Sequence, residues 1–232
     1  MTNVRGTGIR ARARVETTAR IKQVARAHLA EHGADLSLRA VARDVGMVSS
    51  AVYRYFDSRD ALLTALIVDA YEALAQAAEA AEAAAPRDDF AGRWIALADG
   101  IRGWAMEHPH EYALLYGSPV PGYAAPPATI EPASRPVVTM VTILRDAAAA
   151  GRSVPDAEIG EPVAGELRGV LAQLGTSEVP EAMLLRGLIA WEQLFGALSF
   201  DLFGRFQGAI EHKDELWREQ LAAMTDYLGL RG

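Results

Sequence analysis

The stretch Asp44–Leu63, DVGMVSSAVYRYFDSRDALL, decides how the rest of the chain reads. Its spacing predicts a short helix starting near Ser49, in which Val52 and Phe56, four residues apart, share one face. If those two turn inward, Ser49, Ser50, Tyr53 and Arg54 point outward. Hydroxyl and guanidinium groups are the donors that reach phosphate oxygens and base edges. On an isolated helix such a face would be read as ordinary solvated surface. Three neighbouring features favour DNA contact instead: the tight turn after Gly46, the basic arm Arg5, Arg10, Arg12 and Arg14, and the shortness of the helix.

Upstream, Ile21, Val24, Ala25, His28 and Leu29 recur at helical spacing, with Thr17 or Thr18 available as N-cap and Gly33 as C-cap. Ser37 is placed to cap a second helix whose Leu38, Val41, Ala42 and Val45 share a face, and Gly46 stops it. Two short helices joined by a tight Gly turn, behind a longer supporting helix, make a helix-turn-helix whose second helix fits the major groove.

Downstream, Leu62, Leu63, Leu66, Ile67, Ala70, Tyr71 and Leu74 predict one long helix from Arg59 to a limit at Pro86, joining head to body. Further helices are expected near 88–107, 109–116, 133–150, 160–174, 180–204 and 212–229, and no alternating strand pattern competes with them. The segment 117–136 carries six of the eleven prolines and is expected to be an extended loop. The fold class is therefore all-α. A DNA-binding domain over 1–60 is followed by a larger helical domain over 61–232.

Half of the residues are apolar, enough for a sizeable core. There is no cysteine, which excludes disulfides, thiol nucleophiles and thiolate metal sites. The start offers no secretory leader and no run of about 18 apolar residues follows, so a cytoplasmic protein with no membrane association is expected. Residues 1–60 hold ten Arg and one Lys against six acids, a net +5, which leaves −12 for the remainder. A basic head on an acidic body suits a nucleic-acid partner.

Residues 20–66, RIKQVARAHLAEHGADLSLRAVARDVGMVSSAVYRYFDSRDALLTAL, resemble the N-terminal DNA-binding domain of TetR-family transcriptional regulators across 47 residues. The shared pattern is a helix ending in Gly, then SLR, VA and VG, then a short helix ending in Tyr-x-x-Phe, then a basic residue before LL. One departure is Val48, where the family has Ser or Thr as N-cap, so Ser49 is expected to cap instead. The resemblance implies phosphate contacts from Tyr53 and Tyr55, a role for Arg59 in place of the usual Lys, and helix-start phosphate contacts at Ser37 and Thr18. It leaves Ser49, Ser50 and Arg54 for contacts at or near base edges.

The body resembles one C-terminal subtype of the same family through HPHEYALLYGSPVPGY (108–123) and AWEQLFGALSFDLFG (190–204). Where that subtype carries Trp-x-x-x-His-Gly, this chain has Phe195 before Gly196. Trp94, Trp104, His108, Tyr112, Tyr116, Met140, Trp191 and Phe195 are candidates to line an apolar effector pocket, with plain core as the alternative for each. His108 and His110 lack a third spaced ligand, so no metal is expected, and no cofactor either. The chain has no GxSxG, HExxH or P-loop, and is not expected to be an enzyme.

The segment LLRGLIAWEQLFGALSFDLFGRF is apolar nearly all round and needs cover, which a second copy can supply through the last two helices. Gly187, Ala190, Gly196 and Ala197 would permit that close approach. The expectation is a homodimeric repressor on a near-palindromic operator in double-stranded DNA, released by a small, mostly apolar molecule. The rival is an architectural or adaptor protein without an effector.

Overall fold

A computed structural model describes residues 4–32 and 36–231, which form ten α-helices and a 3-10 turn with no strand. The first helix, α1 (Val4–His32), does not begin at Thr17 or Thr18 as expected. Those hydroxyls donate back to the carbonyls of Ala13 and Arg14, both at 2.8 Å, so they sit inside a running helix. The Ala- and Arg-rich stretch before them has the propensity to extend it. Gly33 lies outside the described residues.

In α2 (Leu38–Val45) the Ser37 hydroxyl accepts from the Ala40 amide at 3.5 Å, and Gly46 closes the helix at φ 77°, a left-handed conformation that suits Gly. The next helix, α3 (Ser49–Val52), corrects the expected cap. Val48 holds the N-cap position in extended backbone and accepts from the Ala51 amide at 2.9 Å, so Ser49 is the first helical residue and caps nothing. The Ser58 hydroxyl accepts from the Ala61 amide at 3.0 Å and opens α4 (Arg59–Ala84). Ile21, Leu29, Val41, Val52, Phe56 and Leu63 belong to the core that these four helices bury together. Each contributes on the order of 1.5–3 kcal/mol by leaving water.

The chain forms two compact units. The first comprises Met1–Tyr71 and His108–Ile130, and the second Glu72–Glu107 and Glu131–Gly232. In the first, Leu114 of α6 (Pro109–Tyr116) and Val120 and Tyr123 of the following loop pack on the helix-turn-helix core. Tyr123 shares a 3.0 Å hydroxyl–hydroxyl hydrogen bond with Thr64. The Pro-rich loop is shorter than expected, because a 3-10 turn at Pro127–Thr129 leads straight into α7 (Ile130–Ala149). Pro132 falls in the first turn, where an amide has no helical partner, and Pro136 is tolerated as a buried interior interruption.

In the second unit α9 (Glu181–Leu202) packs on α5 (Phe90–Glu107), α8 (Glu161–Gln173) and α10 (Lys213–Tyr227), α5 also packs on α10, and Leu144 of α7 lies against Gly187 of α9. Trp94, Leu97, Ile101, Met140, Leu194 and Leu198 are among the residues that fill its core. Gly187 and Ala190 do not serve a partner, as the sequence suggested. A Cβ on Gly187 would lie 2.7 Å from the Leu144 side chain, and Ala190 has no exposed surface, so both are used by this chain's own packing. The alanine-rich α4 has the length and, over 18 residues, the mean hydropathy (1.3) of a membrane span, yet 44% of that window is buried inside the fold.

Candidate functional site

The first three helices leave one side of α3 and of the turn that follows it, residues 53–55, uncovered; the helix predicted to run on to Phe56 closes at Val52. Val52 is 1% exposed and Phe56 7%, while Tyr53 is 45% exposed and Ser50 and Arg54 are also open to solvent. Ser49 is half-buried at the helix start, and Ser37 is exposed at the start of α2. Together these residues present one phenol, one guanidinium and three hydroxyls, of which the Ser37 hydroxyl also accepts from the Ala40 amide. Such groups are hydrogen-bond donors of the kind that reach phosphates and base edges.

The remaining predicted contacts are more constrained. Thr18 lies well inside α1 rather than at a helix start, and its hydroxyl is spent on Arg14. Tyr55 is half-buried against the core, with the Arg14 guanidinium 5.1 Å above its ring. Arg59 donates from Nε to the Leu36 carbonyl at 3.1 Å and so ties the entry to α2 onto α4.

Electrostatics separate the head's cations. Lys22 and Arg26 both reach Asp69, at 2.7 and 2.8 Å, Arg12 pairs with Glu16 at 3.1 Å, and Arg43 with Asp44 at 3.1 Å. Arg10, Arg20, Arg39 and Arg54 have no acidic partner among the described residues. His28, on the apolar face of α1, meets the Asp44 carboxylate at 2.7 Å, and that hydrogen bond, with a second from Arg43, holds the carboxyl below its usual range.

The effector candidates divide between the units. In the first, His108 takes the N-cap position of α6 and faces Glu111 at 3.9 Å. Tyr112 is fully buried and packs at 5.1 Å on Tyr116, which meets Tyr71 edge-on at 6.2 Å. Burial, and then its two tyrosine neighbours, push the Tyr116 hydroxyl far above its ordinary range. In the second unit Trp94, Trp104 and Met140 are buried, whereas Trp191 and Phe195 pack at 4.9 Å on a half-exposed face of α9. The Trp94 indole N–H is buried with no acceptor among the described residues. No group of three or more His, Asp or Glu side chains among the described residues is placed to hold a metal.

Sequence reasoning missed a groove of about 580 Å³ between α5 and α10. There the Trp217 indole donates to Asp99 at 2.7 Å, and Arg102 lies 5.2 Å over its ring while donating to Asp214 at 2.6 Å. These partners are about a hundred residues apart, so no local signal points to them.

Comparison with known proteins bears on the family and the fold. Residues 21–66 match the family model for bacterial regulatory proteins of the tetR family, and residues 94–224 match the tetracyclin repressor-like C-terminal domain. The HTH-type transcriptional regulator Rv1816 of Mycobacterium tuberculosis (strain ATCC 25618 / H37Rv) is 40% identical over 206 residues, 86% of each chain. The solved structure of SCO4313 superposes with a TM-score of 0.76 at 37% identity, over 93% of this chain and 98% of that one. A TetR family transcription regulator from Marinobacter aquaeolei VT8 shares the fold at 14% identity, with a TM-score of 0.59 over 91% of this chain and 97% of that one.

Proposed function

Because the chain belongs to the TetR family of DNA-binding transcriptional regulators, we propose that it acts in the cytoplasm as a homodimeric repressor of a near-palindromic operator, released by a small, mostly apolar effector. Family membership makes it a regulator and not an enzyme. The observation that carries the reading is the open side of α3 and the turn after it, with Ser50, Tyr53 and Arg54 exposed above a buried Val52 and Phe56. In this reading Ser49, Ser50 and Arg54 address base edges, Arg54 able to pair bidentately with guanine, while Tyr53 and Ser37 hold phosphates.

The remainder of the chain, from residue 61 on, is assigned effector binding and pairing of subunits. The uncovered apolar side of α9 supports the pairing, and the unsatisfied Trp94 indole N–H supports an effector that brings an acceptor. A buried donor without a partner costs about 1–3 kcal/mol, which a suitable ligand recovers on binding. Typical coupling between sites of about 1–3 kcal/mol would weaken operator binding several-fold to a hundredfold.

The test is selection of bound sequences from random duplex DNA by the purified protein. The expected product is an inverted repeat with half-sites spaced by one helical turn, about 34–36 Å, or a multiple of it. Failure to enrich any sequence at low salt overturns the DNA reading. Release from that duplex by a panel of small apolar compounds then tests the effector, with Trp94→Phe expected to blunt the response. If no compound loosens the complex, the repressor is effector-free.

A further inference from the structure

From the course of α1 we infer that its amino-terminal half is a second DNA-contacting element, in which Arg10 meets backbone phosphate and Arg14 locks the recognition helix in place. The inference rests on the reading of α3 as the DNA-facing helix. It starts from a change of chemistry along one row of α1. Ile21, Ala25 and Leu29 face the core with 0%, 0% and 4% exposure. Positions three, four and seven apart stack on one side of a helix, so the same row continues upstream through Thr18 and Arg14 to Arg10. The helix runs on past the last apolar residue of the row, and from Ile21 to Arg10 it advances about 16 Å.

Arg14 shows what that overhang lies beside. Its Nη2 donates to the Arg54 carbonyl at 3.0 Å, and its guanidinium covers the Tyr55 ring at 5.1 Å. Those are the residues that follow the four-residue helix α3, where carbonyls have no helical partner. A single planar cation thus ties down the turn that follows α3 and presents Tyr53 and Arg54. Arg14 is a positioning residue in this scheme, because it acts through α3.

One turn further out, Arg10 is exposed and has no acidic partner among the described residues. Its neighbour Arg12, on another side of the helix, is already neutralised by Glu16 at 3.1 Å. A cation on the same row as a side chain touching the recognition helix, projecting beyond that helix, suits the phosphates flanking the groove that α3 enters. Guanidinium groups match phosphate oxygens in geometry as well as charge.

The experiment uses the full-length protein, the duplex recovered by selection and an unrelated duplex, with affinity measured over a range of salt. Each neutralised phosphate adds about 0.9 to the slope of log affinity against log salt. Arg10→Ala should flatten that slope by about this amount per subunit and weaken both duplexes alike. Arg14→Ala should weaken the selected duplex more than the unrelated one, with the thermal unfolding midpoint unchanged. Arg12→Ala should leave the slope as it is. An unaltered slope in Arg10→Ala, or equal losses on both duplexes in Arg14→Ala, overturns the inference. A wild-type protein that shows neither sequence preference nor salt dependence defeats the underlying DNA reading instead.

Discussion

Arg93 has no exposed surface, yet oxygens from three residues converge on it. Its Nε donates to Glu82 at 2.6 Å, and its Nη1 donates to Asp146 at 2.9 Å and to the Arg87 carbonyl at 3.2 Å. Burial drives the Glu82 carboxyl upward, but hydrogen bonds from Arg87 and Arg93 outweigh it and leave the group below the usual range. The same opposition, with Arg145 and Arg93 as donors, holds Asp146 low. Arg93→Ala strands a carboxylate that is only 6% exposed, with Arg87 as its remaining partner. The expected loss at neutral pH is about 3 kcal/mol, measured by urea unfolding. Because both carboxyls titrate lower when folded, their contribution is complete above the unfolded value near 4 and fades as pH falls through the folded values. The gap between wild type and Arg93→Ala should therefore narrow in acid, and a gap independent of pH would show that these carboxylates are not the linked groups.

At the scale of the elements, close approach of α4 and α5 is set by one glycine. A Cβ on Gly100 would sit 2.8 Å from the Ala77 carbonyl oxygen and 2.8 Å from the Ala81 Cβ, with rigid backbone in the way. Gly100→Ala should cost about 1–3 kcal/mol through overpacking despite the better helix propensity of alanine. Gly103, three residues on, is exposed with nothing near its Cβ position, so Gly103→Ala should stabilise by up to about 1 kcal/mol. Opposite signs in thermal melts check the pair. Sequence alone showed α2 and the start of α3 well, because Ser37 and Gly46 act within one or two turns, but it carried α3 on to Phe56, whereas the helix closes at Val52 and a turn follows. It misplaced the start of α1, since Thr17 and Thr18 satisfy a cap rule and a mid-helix rule equally, and only the preceding turn chooses between them. It extended the Pro-rich loop through Pro132 and Pro136, which burial draws into α7. The outward face of α3 was legible from periodicity. The Arg14 latch was not, because its acceptor is 40 residues away.

For the whole molecule, the deciding surface is the outer side of α9. Ile189 is 41% exposed and Phe200 53%, with Gly196 exposed between them, on a helix whose opposite side is fully used by Leu194 and Leu198. Positions 189, 196 and 200 fall on one stripe at helical spacing, and aromatic side chains on such a stripe are unfavourable in water unless covered. In the proposed dimer a second copy related by a two-fold axis would supply the same stripe in return, and would also bring the second recognition helix that an inverted repeat requires. The double variant Ile189→Glu, Phe200→Glu places four like charges at that contact while leaving the subunit core untouched. It should sediment as a monomer with unchanged helical circular dichroism. Its operator affinity should fall on the order of a hundredfold or more, because the second half-site no longer binds as part of one particle. Sedimentation of this variant as a dimer would move the subunit interface off α9, and full operator affinity in a monomer would remove the need for two copies.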